Sequence, residues 1–277
     1  MNDIERQGKR EADRTSGSAR TDWLRLLLGD GPPDIATLWE LCLGFEYDRD
    51  LLVDSLRGWL GAPGGGRILD CACGSGFPAI DLIRAGYDVT CSDGSQLMLG
   101  YFKRRTDYEG ITARGALVRW EDLSDYFETP FDVVMCRGCA LPYAGTWDDD
   151  APPDAGALAQ SVAQFAASLR PGGRLYVDTA AEPPGDDPQV TTHPTLAIGP
   201  HRIDLAEELS LDRTARLRRW RCQLTIDGRD YEFQRRSHYL PPSDLAGLLA
   251  GAGLTDVRPE RLPGERYAVL TAVRPEE

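Results

Sequence analysis

The sequence predicts an α/β fold, a doubly wound and mostly parallel seven-stranded sheet flanked by helices. Two observations carry this prediction. Between residues 68 and 178, five short apolar strands alternate with helical segments, which is the pattern of βαβ units. The first strand also runs directly into a glycine-rich turn, Gly74-Ser75-Gly76, and then into a helix. Such a sheet binds its ligands at the carboxyl ends of the strands.

Three N-terminal segments precede the sheet. Residues 1–20 are polar and charged, and they predict a disordered arm because they cannot bury enough apolar surface to fold alone. Residues 21–62 predict an N-terminal helical cap, with one short helix capped by Asp22, a second from 34 or 35 to 43, and a third over 48–60. The glycine-rich residues 61–66 link this cap to the first strand.

The predicted core covers residues 63–181. Its connecting helices include one that Ser95 caps and one over 154–169. Each apolar run that ends in a polar or glycine-rich segment is read as a strand. The five predicted strands of this core are 68–73, 87–92, 115–119, 131–136 and 174–178.

From residue 182 the sequence pattern changes to short alternating runs, which predict an antiparallel β insertion over 182–240 after strand five. Asp227-Gly228 is a favourable hairpin turn between two of these runs. We expect the insertion to act as a lid over the ligand face. Residues 241–277 then supply a helix over 243–252 and two closing strands of the core, 255–259 and 267–273.

Composition excludes several classes of partner. The net charge of −13 and the isoelectric point near 4.8 argue against nucleic acid, whose phosphates require a clustered basic face. There is no apolar run near 18 residues and no signal-peptide pattern, so we expect a cytoplasmic protein with no membrane partner. A small-molecule substrate is expected, and a homo-oligomer is compatible with the sequence.

The cysteines predict no metal site. Their odd number, seven, argues for reduced thiols. Cys71-x-Cys73 and Cys136-x-x-Cys139 resemble metal-binding pairs, but no second close pair or histidine pair completes a tetrahedral set among only three histidines. We interpret them as small buried side chains.

The glycine turn carries the candidate chemistry. Gly74 and Gly76 can adopt positive φ and let a ligand approach the backbone. With Ala79 and Asp93 the turn also fits the looser dinucleotide fingerprint, so a nicotinamide enzyme and a methyltransferase both match it. Asp70, four residues before Gly74, favours a cationic cofactor such as S-adenosylmethionine (SAM), which has a sulfonium and an ammonium group. A turn of this kind that binds nothing is the less favoured alternative.

These segments together resemble the class I SAM-dependent methyltransferases, which have a Rossmann-like sheet. More narrowly, they resemble the glycine and sarcosine N-methyltransferases and small-molecule natural-product N-methyltransferases. The resemblance rests on Trp39-Glu-Leu-Cys-Leu-Gly44 with Arg49, and on Leu69-Asp70-Cys71-Ala72-Cys73-Gly74-Ser75-Gly76. It implies that Trp39 packs near the cofactor and that Arg49 pairs with the cofactor carboxylate, for which a guanidinium is a bidentate partner.

The resemblance also implies the rest of the cofactor site. Asp93 would accept both ribose hydroxyls, and Trp120 would stack on the adenine with Glu121 or Asp122 near its amino group. The alternative for Trp120 is a simple core aromatic. The implied cofactor-binding residues are Trp39, Arg49, Asp70, Ala72, Gly74, Ser75, Gly76, Asp93, Gly94, Ser95, Met98, Trp120, Glu121, Asp122 and Cys136.

The acceptor site departs from the family pattern. After strand four, the glycine enzymes have Gly-Asn-Ser where this chain has Arg137-Gly138-Cys139, and after strand five they have an arginine where this chain has Ala180. A buried substrate carboxylate would then lack that partner, which is costly. We therefore expect an acceptor other than free glycine or sarcosine, and by analogy an antibiotic or sugar-containing natural product. The expected substrate contacts are Arg137, Gly138, Tyr143 and Tyr239, with a surface salt bridge as the alternative for Arg137.

Methyl transfer is an in-line displacement that depends mainly on alignment and exclusion of water. A neutral amine needs no general base, whereas a hydroxyl acceptor does. Only Tyr47 and His238 are candidate catalytic side chains, and the scarcity of histidine favours a nitrogen acceptor. A small-molecule O-methyltransferase, an NAD-dependent oxidoreductase and a non-catalytic SAM-binding module stay open as alternatives.

Overall fold

A computed structural model of the protein describes residues 28, 32–46, 48–146, 154–181 and 187–276. The predicted N-terminal arm, Tyr47, and the first predicted helix apart from Leu28 lie outside these described residues. The described strands are β1 (Arg67–Asp70), β2 (Asp88–Asp93), β3 (Arg114–Leu117), β4 (Phe131–Cys136), β5 (Leu169–Thr179), β6 (Gln189–Thr192), β7 (Leu196–Ile198), β8 (His201–Asp212), β9 (Leu217–Ile226), β10 (Arg229–His238), β11 (Thr255–Glu260) and β12 (Ala268–Val273).

The described helices are α1 (Ile35–Glu46), α2 (Arg49–Leu60), α3 (Ala79–Arg84), α4 (Gln96–Glu109), α5 (Leu123–Tyr126), α6 (Ala155–Ser168) and α7 (Pro242–Gly251). Single turns of 3-10 helix occupy Trp120–Asp122 and Leu141–Tyr143. None of the helices in the described ranges is both long and apolar enough to cross a membrane.

The main sheet has seven strands in the order β11-β12-β5-β4-β1-β2-β3. β1 pairs in parallel with β2 and β4, and these continue in parallel into β3 and β5. β12 is antiparallel to both β5 and β11. This confirms the predicted doubly wound, mostly parallel Rossmann-like fold class. The ends of β1, β2, β4 and β5 therefore meet at one edge of the sheet.

Side-chain caps fix where several helices begin. Asp48 accepts a hydrogen bond from the N–H of Leu51 at 3.2 Å at the start of α2. Ser95 accepts one from the N–H of Met98 at 3.3 Å at the start of α4, as predicted. Each cap satisfies a donor that the first turn of the helix leaves without a partner.

Apolar side chains of the central strands and of α6 form the core. Leu69 of β1, Val134 of β4 and Val177 of β5 are buried, and Phe165 of α6 packs against the same cluster. Fully burying side chains of this size stabilises the fold by about 1.5–3 kcal/mol each. The core therefore fixes the strands whose ends carry the candidate site.

Some predicted boundaries were wrong. β1 ends at Asp70 and not at residue 73, because the following residues form turns, in which the N–H of Gly76 donates to the carbonyl of Cys73 at 2.8 Å. β3 spans Arg114–Leu117 and not 115–119. The fifth strand begins at Leu169, five residues before the prediction. The short strands β6 and β7 were not predicted.

A second sheet has the strand order β10-β9-β8-β6, and β7 pairs antiparallel with β8. The hairpin between β9 and β10 turns at Asp227 (φ 50°) and Gly228 (φ 79°), as predicted. The chain divides into two compact units. The smaller one contains most of α1 with residues 190–208 and 221–234, and the larger one contains 46–189, 209–220 and 235–277.

Candidate active site

The glycine turn after β1 combines one packed and one open glycine. Gly76 has φ +108°, and a Cβ there would lie 2.4 Å from Cδ1 of Ile80, so only glycine fits beside α3. Gly74 has φ +52°, and a Cβ there would meet no atom within 4 Å. Ser75 between them is buried, and its hydroxyl has no hydrogen-bond partner among the described residues. Gly74 therefore leaves its backbone open to a ligand.

Asp93, at the end of β2, holds this turn. One carboxylate oxygen accepts a hydrogen bond from the N–H of Gly74 at 2.8 Å, and the other accepts one from the N–H of Ser95 at 2.8 Å. An ionised carboxylate has about four acceptor positions, so these bonds leave capacity for ligand hydroxyls. Asp93 thus lies beside the glycine turn, and its contact with ribose hydroxyls stays a prediction.

Asp70 is a buried carboxyl group at the end of β1, beside the same turn. It is 1% exposed and accepts a hydrogen bond from the N–H of Ala72 at 3.3 Å. Its pKa is raised to about 7, chiefly by burial; Arg137 and the Ala72 N–H oppose the rise, and the charge of Asp93 adds to it. Burial disfavours the charged form of an acid. A cation next to Asp70 would reverse that effect and favour its ionised form.

A pocket opens beside the carboxyl ends of β2 and β3. It is lined by Gly94, Gln96, Leu117, Val118, Arg119, Asp122 and Tyr126. Gly94 and Asp122 were predicted as cofactor residues, and Ser95 and Met98 are buried at the start of α4. Gln96, Leu117, Val118 and Tyr126 were missed, because their side chains carry no distinctive signal in the sequence.

Trp120 has the contacts of a core aromatic. Its indole N–H donates to the carbonyl of Cys71 at 2.7 Å, and its ring lies edge-to-face with Phe165 at 5.6 Å between centroids. Glu121, next to it, is exposed. These contacts favour the alternative interpretation of Trp120, and adenine stacking stays a prediction.

The two residues of the N-terminal motif have well-defined surroundings. Arg49 begins α2 and is buried, with its guanidinium carbon 4.5 Å from the ring centroid of Phe77. Trp39 belongs to the smaller unit, where its ring centroid lies 6.4 Å from that of Phe233. Cofactor contact by either residue stays a prediction.

The end of β5 is tied to the loop after β4. Asp178 is fully buried and accepts hydrogen bonds from the N–H groups of Gly138 at 3.0 Å and Cys139 at 2.7 Å. Burial, and then the charge of Glu265, raise its pKa to about 7, while Arg137 and the two N–H donors lower it. The carboxyl group thus fixes the loop on which the expected substrate contacts lie.

Arg137 forms an ion pair inside the protein. Its guanidinium lies 2.5 Å from the carboxylate of Glu265, and both side chains are buried. Glu265 also accepts a hydrogen bond from the hydroxyl of Tyr176 at 3.0 Å. The salt bridge expected as the alternative for Arg137 is therefore present, but its partner is a buried glutamate and not an acidic surface. Substrate contact by Arg137 and Gly138 stays a prediction.

A narrow cleft lies at the carboxyl end of β5. It is lined by Pro142, Thr179, Ala180, Ala181, Leu209, Leu211, Arg218, His238, Tyr239 and Leu240. Two residues expected at the substrate are thus placed here: Tyr239 lines the cleft, and the hydroxyl of Tyr143 accepts a hydrogen bond at 3.3 Å from Arg218, another lining residue. Arg218 was missed because it lies in a strand 39 residues beyond Thr179, and only its place in a basic segment marked it.

His238, a predicted catalytic candidate, also lines this cleft. Its Nε2–H donates to the carbonyl of Ala144 at 3.1 Å, which fixes the tautomer of the neutral ring. Burial lowers the pKa of His238, although the Ala144 carbonyl opposes this effect. A neutral ring with Nδ1 as acceptor can take up a proton, so a general-base role stays a prediction.

The cysteines near the site are buried, and their thiols lie close to one another. All seven are free thiols, and burial, then the side chain of Cys71, raise the pKa of Cys136 far above its usual value. No group of three metal-binding side chains occurs within the described ranges. Cys136 is therefore packed at the end of β4 as a small apolar residue.

Comparisons with known proteins agree with this geometry. The model of a methyltransferase domain family matches residues 68–173. The chain is 30% identical over 115 residues to the glycine/sarcosine N-methyltransferase of Halorhodospira halochloris, with 42% of this chain and 40% of that protein covered. It is 30% identical over 171 residues to the glycine N-methyltransferase of Oryctolagus cuniculus, with 55% and 57% covered. The match thus spans about half the length of these curated relatives.

Solved structures show the same fold over most of the chain. DesVI of Streptomyces venezuelae has a TM-score of 0.71 and 16% identity, with 88% of this chain and 99% of that chain covered. The sugar N-methyltransferase KedS8 from Streptoalloteichus has a TM-score of 0.64 and 20% identity, with 90% and 96% covered. At these identities the likeness concerns the fold.

Proposed function

We propose that this chain, whose residues 68–173 match the model of a methyltransferase domain family, transfers a methyl group from SAM to an amine nitrogen of a small molecule. A natural-product intermediate is the proposed class of acceptor. The names of the curated relatives and of KedS8 support a nitrogen acceptor. The departures of this chain at Cys139 and Ala180 support an acceptor other than free glycine.

The single observation that carries the proposal is the buried Asp70 beside the open Gly74. A carboxyl group with a pKa raised to about 7 by burial gains a favourable interaction when a cation enters its surroundings. SAM has two cationic groups, a sulfonium and an α-ammonium. A pyrophosphate at the same turn would instead be repelled by Asp70 and Asp93.

The remaining cofactor contacts follow from the placement of the other side chains. Asp93 would accept the ribose hydroxyls, and the pocket at Gly94 and Gln96 would take the adenine. The buried hydroxyl of Ser75, which has no partner among the described residues, would form a hydrogen bond with the cofactor. Arg49 would bind the cofactor carboxylate as a charge-assisted pair. When bound, SAM supplies an activated methyl group on sulfur.

This chain's own contribution to transfer is alignment. Asp178 holds Gly138 and Cys139, and with them the loop that faces the carboxyl end of β5. Holding two reactants in a near-attack geometry can contribute several kcal/mol to the lowering of a barrier. The apolar walls of the cleft exclude water from the acceptor nitrogen.

O-methylation is the second candidate function, and one observation favours it. His238 lines the cleft and is neutral, because burial lowers its pKa. A neutral imidazole can accept the proton of a hydroxyl acceptor during attack. The proposed nitrogen acceptor does not require this step if it arrives unprotonated.

Methyl transfer from isotopically labelled SAM to a panel of amines, each paired with its hydroxyl analogue, tests both functions. We expect a mass increase of one methyl group on amines in single-turnover reactions. Transfer only to the hydroxyl analogues would reject the nitrogen acceptor in favour of the second function. Binding of SAM without transfer to any acceptor would support a non-catalytic module, and binding of NAD in place of SAM would support an oxidoreductase.

A further inference from the structure

Among the residues that the structure describes, none is an anionic partner of Arg218 on β9. The only hydrogen bond of its guanidinium in the described part of the chain is a long one, 3.3 Å from Nη1 to the hydroxyl of Tyr143. Its Nε is buried without a partner. No aspartate or glutamate of the described ranges forms an ion pair with Arg218. The side chain as a whole is half-buried. Partly removing a charge from water without a counterion is costly, so its retention calls for an explanation.

Two arginines close to Arg218 in the sequence form ion pairs with described residues, unlike Arg218. Arg216 pairs with Asp244, and Arg221 pairs with Glu232 at 2.8 Å. The chain is acidic overall, with a net charge of −13. A counterion for Arg218 could therefore have been provided by the protein itself, and none is present among the described residues.

Arg218 lies at the edge of the sheet where we expect the methyl acceptor to bind. Its side chain lines the narrow cleft with Thr179 and Ala180, which lie at the carboxyl end of β5. Ligands of such sheets bind at this edge. The other walls include the apolar side chains of Leu209 and Leu211. The cavity between the walls is about 10 Å³, room for one water molecule, so an acceptor enters only when these side chains move apart.

We propose that Arg218 binds an anionic oxygen group of the methyl acceptor, a carboxylate or a phosphate, and thereby selects amines that carry such a group. This inference rests on the proposed function and narrows its substrate class. A guanidinium presents a planar set of N–H donors that matches both anions. Arg218 comes from a different strand than the arginine that the glycine enzymes carry at the position of Ala180, so it would hold the anion of a different acceptor.

Binding of small probe anions to the full chain loaded with S-adenosylhomocysteine tests the proposal. Calorimetry measures the affinities for benzoate, phenyl phosphate and the neutral benzamide. All three contain a phenyl ring, so the comparison separates the effect of the probe's charge from that of its shape. We expect one of the two anions to bind at least about tenfold more tightly than benzamide. The anion that binds more tightly shows whether Arg218 binds a carboxylate or a phosphate group of the acceptor. Equal binding of all three probes would overturn the proposal.

Two variants assign the anion to Arg218. Arg218→Met should remove the preference for the anion and leave the affinity for S-adenosylhomocysteine unchanged, whereas Arg219→Met, at the exposed neighbour on the same strand, should retain the preference. Arg218→Met should not lower the thermal unfolding temperature, since no ion pair with a described residue is lost. Retained anion preference in Arg218→Met, or a large loss of stability with unchanged anion binding, would contradict the proposal.

Arg218→Lys keeps the charge without the planar fork, and it covers the case in which the methionine variant does not fold. It should weaken anion binding at least about threefold and retain cofactor binding. Full anion affinity in this variant would contradict the geometry proposed for the guanidinium. Failure of the wild type to bind S-adenosylhomocysteine would reject the methyltransferase proposal separately, because anion binding can be measured without it.

Discussion

The carboxyl group of Asp178 accepts a hydrogen bond from the backbone N–H of Cys139 at 2.7 Å, which connects the end of β5 to the loop after β4. Cys139 has φ 55° and Gly138 has φ 74°, so this loop adopts the left-handed region at two successive residues. Such a conformation persists only where its surroundings hold it. The Asp178 side chain is the group that does so.

Removing this acceptor should therefore destabilise the protein. Asp178→Ala leaves the N–H groups of Gly138 and Cys139 without their acceptor, at a cost of about 1–3 kcal/mol for each buried donor. The measurement is urea unfolding at pH 6, where Asp178 is mainly protonated in the wild type. At this pH the loss of the two hydrogen bonds is measured apart from the cost of burying a charged carboxylate. Asp125→Ala at an exposed site is the control. Equal stability of both variants would show that the loop does not depend on Asp178.

The stability of the cofactor-free protein should fall as the pH rises. Asp70 and Asp178 have pKa values raised to about 7 in the folded protein, whereas both ionise near 4 when unfolded. The folded state binds more protons in this window, so their stabilising contribution is complete below about pH 4 and lost as the pH approaches about 7. Asp70→Asn and Asp178→Asn should each reduce the slope between pH 5 and 8. An unchanged slope in both variants would contradict the burial of these acids.

Asp93→Ala should weaken cofactor binding. The variant loses the proposed ribose acceptor and the hydrogen bond to the N–H of Gly74. Hydrogen bonds to a charged group contribute about 1.5–3 kcal/mol each, so we expect at least about a tenfold loss of affinity for S-adenosylhomocysteine. Calorimetry of this variant beside Asp125→Ala makes the comparison. Wild-type affinity with an intact fold would reject the ribose assignment.

Arg49→Ala should also reduce affinity for the cofactor, and not only turnover. Its guanidinium is buried over the ring of Phe77, where a carboxylate partner would be shielded from water. The expected loss is about tenfold or more. Arg57→Ala, on the exposed side of the same helix, should leave affinity unchanged. If turnover falls while the dissociation constant of S-adenosylhomocysteine stays the same, Arg49 does not bind the cofactor.

Local sequence signals predicted turns and a helix start well. The glycine turn, the Ser95 cap and the Asp227-Gly228 hairpin each depend on a few neighbouring residues, and all three are present. The strand ends were less predictable. β1 stops at Asp70, and the backbone beyond it forms a hydrogen bond with β2, which a local apolar pattern does not show. Apolar patterns indicate that a strand exists more reliably than where it ends.

Long-range partners could not be predicted. Arg137 and Glu265 are separated by 128 residues, and no local pattern marks them as a pair. Trp120 fits both an adenine platform and a core position by sequence, and its contacts with Cys71 and Phe165, which favour the core position, could not be read from the sequence. Arg218 belongs to a run of basic residues, and only the three-dimensional structure shows that no described residue is its counterion.

Calorimetric titration of SAM into the wild type and into Asp70→Asn, at pH 6 and at pH 8, tests the central claim most directly. Because Asp70 has a pKa of about 7, the sulfonium and ammonium should bind more tightly at pH 8 and release a proton on binding at pH 6. The Asn variant should lose both effects and bind more weakly. Binding of NAD in place of SAM, or identical SAM binding by both proteins at both pH values, would contradict a cationic cofactor beside Asp70.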